Sequence, residues 1–214
     1  MTLALQIGYA DHCFQDQPPC GDGMTSLERG QTLRLLLADG IGHGPNAHRV
    51  VSQLSDHFHW ICGRSSSLIG MADCMRELHA LLRGNQQTDQ AAVAMLEVQR
   101  ETGVIAVLSV GNVRVHSVAD AGCFSFPCLN GMVGGHLPRQ LPVTLRQAQK
   151  PCLLVLHSDG MSSRAVLPYL EKLFGTLRHS PRDGQPIADA LLHHCAKRSD
   201  DAACAVVVVQ EALS

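Results

Sequence analysis

The sequence predicts an α+β fold, and three observations predict it. Apolar runs of strand length follow one another in groups instead of alternating strictly with helices. A pair of helical patterns precedes the main group of strands, and a second pair follows it before one last strand. Hydrophobic residues make up 45% of the 214 positions and charged residues 17%, a globular balance. That length supports one domain with a sizeable core, and residues 1–214 are read as a single domain.

Taken in order, Leu3 to Ala10 alternates loosely and is predicted as the first strand. Asp11 to Gly23 holds Pro18, Pro19, Gly21 and Gly23 and reads as a loop that delivers Asp22. Met24 to Glu28, a turn at Arg29-Gly30, and Gln31 to Ala38 form a hairpin pattern. Within it, Leu33 to Ala38 is apolar except for Arg34, as in a strand buried on both faces. The run stops at Asp39-Gly40. Gly42 and Gly44 then keep the backbone free of bulk, and Pro45 suits a first helical turn. Ala47, Val50, Val51, Leu54, Phe58 and Ile61 recur at helical spacing behind it.

Ser65 to Ser67 can cap a second helix, with Leu68, Met71, Met75, Leu78 and Leu82 as its apolar stripe and Gly84-Asn85 at its end. Ala91 to Val98, a turn at Arg100 to Gly103, Val104 to Val110 and Val113 to Val118 suggest a meander. Leu129 to Pro138 is glycine-rich and reads either as a mobile loop beside a site or as an ordinary turn. Pro142 to Gln149 and Cys152 to Leu156 give two more strands, the second leading to Asp159. Helical patterns at Met161 to Gly175 and Pro186 to Arg198 flank a loop at Pro181 to Gln185. Asp200-Asp201 then opens the last strand, Ala202 to Gln210, a run that must be buried on both faces.

Composition excludes several classes. A formal net charge of -2 gives no electrostatic reason to expect nucleic acid or an anionic membrane as partner. No apolar run approaches the roughly 20 residues of a membrane span, and MTLALQIGYADH has none of the features of a signal peptide. Nine cysteines, an odd number without a CxxC, fit a reduced cytoplasmic protein in which several are small core residues. His193, His194 and Cys195 lie in a helical pattern where adjacent positions diverge, which argues against zinc there. Gly40 and Gly42 begin a dinucleotide-like GxG, but Pro45 stands where the third glycine belongs, and Ile41 breaks a DxGxG nucleotide box.

The chemistry is carried by aspartates. A lone Asp-Gly is usually only a turn. Here Asp22, Asp39, Asp159 and the Asp200-Asp201 pair each stand at the end of an apolar strand-like segment, far apart in sequence. Carboxylates gathered from several strand ends suit a divalent cation with oxygen ligands.

ADGIGHGPNA, HSDGMSS and SDDAACAVVVV, in this order and spacing, resemble the metal-dependent PPM serine/threonine phosphatases, with the closest likeness to the bacterial SpoIIE/RsbX-like branch. The resemblance implies a four-layer α/β/β/α sandwich of two mostly antiparallel sheets flanked by helices. It implies two divalent ions, Mn²⁺ or Mg²⁺, bridged by Asp39 with the Gly40 carbonyl as an added ligand. Asp22 would serve one ion and Asp159 and Asp200 the other, with Asp201 a less direct neighbour. His43, four residues beyond Asp39, is a candidate acid for the leaving alkoxide. The implied substrate is a phosphorylated STAS-domain protein, an anti-sigma antagonist or stressosome-type regulator in a partner-switching pathway. The alternative is a catalytically inactive relative that binds a signalling partner.

The sequence departs from the family pattern at four places. No Lys or Arg precedes Arg29, so the early arginine that many relatives use to hold phosphate is missing. Asn112 follows Val110-Gly111 where an aspartate is common. The family's catalytic histidine, where present, directly follows the Asp-Gly pair, which here is followed by Ile41. Ala202 and Ala203 follow Asp201 where a serine or threonine is frequent, which predicts a missing hydroxyl behind the ligands.

Overall fold

A strand that is apolar on both faces must be covered on both, and the central strands obey that rule. The computed structural model describes residues 2–64, 70–85, 89–177 and 183–212. Strands β1 (Leu3–His12), β2 (Asp22–Arg29) and β3 (Thr32–Gly40) come first, followed by helices α1 (Pro45–Gly63) and α2 (Met71–Asn85). Then come β4 (Ala91–Gln99), β5 (Val104–Val110), β6 (Arg114–Ala119), β7 (Gly122–Ser125), β8 (Thr144–Gln147) and β9 (Cys152–His157). Helices α3 (Ser163–Leu177) and α4 (Gly184–Cys195) precede the last strand, β10 (Ala202–Glu211).

The strands form two five-stranded sheets, ordered β1-β10-β9-β6-β7 and β2-β3-β4-β5-β8. Neighbouring strands within each sheet pair antiparallel. Period-two alternation sorts the side chains into layers. Leu33, Leu35 and Leu37 of β3 and Ala92, Ala94 and Leu96 of β4 meet Leu154, Leu156, Ala203, Ala205 and Val207 of the other sheet in one cluster. On the opposite face, Leu36, Ala38, Val93 and Met95 lie under Val50, Leu54, Phe58, Met75 and Leu78 of α1 and α2. Leu153, Val155, Cys204, Val206 and Val208 lie under Val166, Leu170, Ile187 and Leu191 of α3 and α4. The result is the α/β/β/α sandwich.

Arg34, the polar exception in β3, is buried on the helix-facing side. Its Nε donates to Glu97 Oε2 on β4 at 2.9 Å. Both charges are thereby matched where a lone one would be costly.

Several boundaries differ from the sequence reading. β1 runs two residues further, to His12, because it keeps pairing with β10 up to Ala202. β7 was not expected; its residues are at best half-buried, so no apolar alternation announces it. The strand expected over Pro142 to Gln149 shortens to Thr144–Gln147. α4 starts at Gly184, inside the expected loop, because the Asp183 carboxylate accepts from Gln185 N at 3.0 Å and caps it. It ends at Cys195 instead of Arg198, and Ala196 turns back to bridge Met161, which therefore precedes α3. The last strand begins at Ala202 as expected and runs one residue further, to Glu211. Leu129 to Pro138 is tied down: Leu129 bridges Val110, and the buried Val133 bridges Ala91. The expected cap at Ser65 to Ser67, Leu68, and part of the Pro181 to Gln185 loop lie outside the described residues.

Candidate metal centre

The β2–β3 hairpin register sets Asp22 directly opposite Asp39. Both sit at the strand ends where α1 begins. Gly40 N donates to Gly21 O at 3.0 Å, which keeps the two chains together past the carboxylates. Gly40 must be glycine for a packing reason: a Cβ there would lie 2.7 Å from the Ala47 carbonyl oxygen in α1. The helix can therefore close onto the strand end only because position 40 is bare.

From the other sheet, the turn just after β9 supplies Asp159 and the segment before β10 supplies Asp200. Gly160 lets these segments cross, since a Cβ there would stand 1.8 Å from Asp201 O. Asp39, Asp159 and Asp200 line a single cavity of about 230 Å³, together with Ile41, Gly42, His43, Ala92, Asn112 and Met132. Asp22 is 6% exposed and lies beside Asp39, behind this cavity. Gly40 is buried and does not line it. His43 is exposed at the rim, its ring 5.0 Å from that of Phe14.

The electrostatics of the pair are unfavourable as they stand. Burial first, then repulsion from Asp22, Asp159 and Asp200, pushes the Asp39 carboxyl well above the usual carboxylate range. Burial likewise raises Asp22; the Ser158 hydroxyl pulls it down, and Asp201, Asp159 and Asp200 push it up again. Asp22 Oδ2, Asp39 Oδ2 and Asn112 Oδ1 are buried and find no hydrogen-bond donor. Three orphaned acceptors on converging oxygen groups fit a hard divalent cation, which would satisfy them and offset the repulsion. Mg²⁺ and Mn²⁺ match such an oxygen-only donor set better than zinc.

Four residues support the ligands; the sequence reading marks Asn112 and Asp201 but misses Lys197 and Ser158. Asn112 Nδ2 donates to Asp159 Oδ2 at 2.7 Å. Lys197 Nζ donates to the Asp159 carbonyl at 2.5 Å. Ser158 Oγ accepts from Ala203 N at 3.0 Å and stands beside Asp22, so a hydroxyl behind the carboxylates comes from the residue just after β9 although positions 202 and 203 are alanine. Asp201 is buried and turned away: Oδ1 accepts from Phe14 N at 2.6 Å and Oδ2 from Gly21 N at 2.8 Å. It thus clamps both ends of the segment that leads into Asp22. The divergence of Asp200 and Asp201 follows the expectation drawn from the family resemblance and from the alternation of neighbouring residues in an extended chain.

Two antiparallel sheets between helical layers, with aspartates from both sheets converging at one end, define a PPM-type phosphatase fold. A family model described as Stage II sporulation protein E (SpoIIE) matches residues 29–210, and the chain belongs to that family. No curated protein matches it significantly. Among solved structures, the chain resembles one described as "The bacterial stressosome: a modular system that has been adapted to control secondary messenger signaling", at 25% identity and TM-score 0.82, over 95% of this chain and 99% of that one. RsbX in complex with magnesium is 18% identical, with TM-score 0.78 over 96% of both chains. The catalytic domain of the serine/threonine phosphatase PstP with two manganese ions is 13% identical, with TM-score 0.72 over 98% of this chain and 100% of that one.

Proposed function

We propose that residues 1–214 form one cytoplasmic phosphatase domain that hydrolyses phosphoserine or phosphothreonine on a folded signalling protein. Membership of the SpoIIE family supports the reaction class. The observation that carries the assignment is the facing pair of buried Asp22 and half-buried Asp39, mutually repelling and each with a buried, unpartnered oxygen. Such a pair is costly unless a cation occupies it.

Asp39 would contact both of two divalent ions, Mn²⁺ or Mg²⁺, with Asp22 on one side and Asp159 and Asp200 on the other. When bound, such ions supply an acidified water and neutralise phosphoryl charge. The chain's own part is to hold and orient. Asn112 and Lys197 fix Asp159 through its side chain and its carbonyl. Asp201 fixes the approach to Asp22. His43, exposed at the cavity rim, would give a proton to the departing serine or threonine oxygen. Among the described residues, no arginine lines the cavity. Phosphate recognition therefore falls to the ions and to the backbone at Ile41 to His43.

The substrate class we favour is a phosphorylated STAS-domain regulator in a partner-switching pathway, in keeping with the stressosome protein among the structural relatives. No helix among the described residues is long and apolar enough to cross a membrane. The deciding experiment follows phosphate release from an aryl phosphate and from a phosphorylated STAS-domain protein, after chelation and with Mn²⁺ or Mg²⁺ restored. Turnover should require the ion and collapse in Asp39→Ala. Absence of turnover at every metal concentration, with partner binding retained, would favour an inactive binding protein instead.

A further inference from the structure

A second cluster of ligand-type side chains lies outside the aspartate cavity. A carboxylate oxygen of Asp11, Cys13 Sγ and Cys20 Sγ all fall within 4.8 Å of one another. Asp11 comes from the end of β1, opposite Ala203 of β10. Cys13 and Cys20 flank the loop that the Asp201 carboxylate closes by accepting from Phe14 N and Gly21 N. The clamp that positions Asp22 therefore also brings the two thiols together.

We propose that Asp11, Cys13 and Cys20 form a separate zinc site, in which two thiolates and a carboxylate bind the ion and one water completes a tetrahedron. Zinc bonds of about 2.3 Å to sulfur and about 2.0–2.2 Å to oxygen put tetrahedral ligand atoms roughly 3.5–3.8 Å apart. The observed spread needs only small side-chain rotations to reach that. Two soft sulfurs select zinc over the Mg²⁺ or Mn²⁺ that suits the oxygen-only aspartate cavity.

One further observation separates this cluster from ordinary packing. The other buried cysteines each sit in an apolar cluster: Cys152 between the sheets, Cys62 and Cys74 under the first helical layer, Cys195 and Cys204 under the second. Cys20 is equally buried but belongs to none of these clusters. Uptake of one Zn²⁺ releases the two thiol protons, so affinity rises with pH.

The test uses the reduced, chelator-stripped full chain, with Co²⁺ as spectroscopic probe and Zn²⁺ in competition with a chromogenic chelator. Wild type should take up Co²⁺ with thiolate-to-metal charge-transfer absorption, and one equivalent of Zn²⁺ should displace it. Asp39→Asn should behave identically, which separates this site from the aspartate cavity and from the question of catalysis. Cys13→Ser and Cys20→Ser should each lose the absorption and at least tenfold in Zn²⁺ affinity, about 1.4 kcal/mol. Asp11→Asn should weaken Zn²⁺ binding and keep the absorption. Wild-type Co²⁺ spectra without thiolate absorption overturn the proposal whether or not the variants fold. So does absorption that persists in Cys13→Ser, or a Cys13–Cys20 disulfide whose reduction yields no Zn²⁺ uptake.

Discussion

Asn112 Nδ2 donates a 2.7 Å hydrogen bond to Asp159 Oδ2, and the other end of the same amide, Oδ1, is buried without a donor. One side chain thus aims a carboxylate and adds an acceptor to the cavity. An aspartate in its place would set another negative charge against Asp159. The amide keeps the oxygen and replaces that repulsion with a hydrogen bond.

Removing the amide should therefore weaken the metal centre without emptying it. Asn112→Ala is expected to raise the Mn²⁺ concentration needed for half-maximal turnover about tenfold to hundredfold, the usual effect of losing a partner behind a metal ligand. A metal titration of initial rates reads this directly. An unchanged titration would mean that Asp159 is held well enough by Lys197 and β9.

The raised carboxyls predict an unusual pH dependence for the metal-free protein. Folded Asp22 and Asp39 hold their protons up to about 7 and about 8, well beyond the range of unfolded carboxylates. Between those limits the native state binds more protons than the unfolded state, so stability falls as pH rises. The contribution is fully present below the usual carboxylate range and is lost as pH passes through the folded values. Melting temperature after chelation should thus drop from about pH 5 to about pH 8, and Asp39→Asn should flatten the drop. Mn²⁺ should stabilise wild type most at the alkaline end, because it needs both carboxylates ionised.

Asp200 and Asp201 should fail in different assays. Asp200 lines the cavity, whereas Asp201 holds the Phe14 and Gly21 amides. Asp200→Asn is expected to cut metal-dependent turnover severely while leaving urea unfolding close to wild type. Asp201→Ala gives up two charge-assisted hydrogen bonds and should cost at least about 2 kcal/mol of stability. Equal losses of stability in both variants would contradict the divergence of the two side chains.

How much of this could be read from the chain depended on the range of the contacts. The β2–β3 hairpin joins Asp22 to Asp39 through local turn chemistry and alternation, and both were legible as strand-end acids. The double burial of β3 and β10 was legible for the same reason, since Leu33 to Ala38 and Ala202 to Val209 leave no polar face. The supporting contacts were not. Asn112 and Asp159 are 47 positions apart, and Phe14 and Asp201 are 187 apart. Those pairings exist only once β6, β9, β1 and β10 take their register. β7 stayed hidden because an edge strand that is only half-buried needs no apolar pattern. Helix ends shifted where one cap decided them, as Asp183 does for α4.

Substrate choice is the last and sharpest expectation. Among the described residues the cavity offers acids and no arginine, so a free phosphoserine gains little there beyond the ions themselves. Binding energy must come from the surface around the rim, where Ile41 leaves 55% of its area in solvent beside the exposed His43. Energy from such remote contacts can lower the barrier only for a partner large enough to make them. The kcat/KM for an intact phosphorylated STAS-domain protein should exceed that for a short phosphopeptide of the same sequence by at least tenfold, about 1.4 kcal/mol. Ile41→Ala should erase most of that advantage while leaving the peptide rate nearly unchanged, because it trims the exposed rim side chain and adds no charge to the cavity. Both substrates must be compared at one saturating Mn²⁺ concentration, so that metal affinity does not enter the ratio. Similar values for protein and peptide would describe a non-selective phosphatase and remove the support for a partner-switching role.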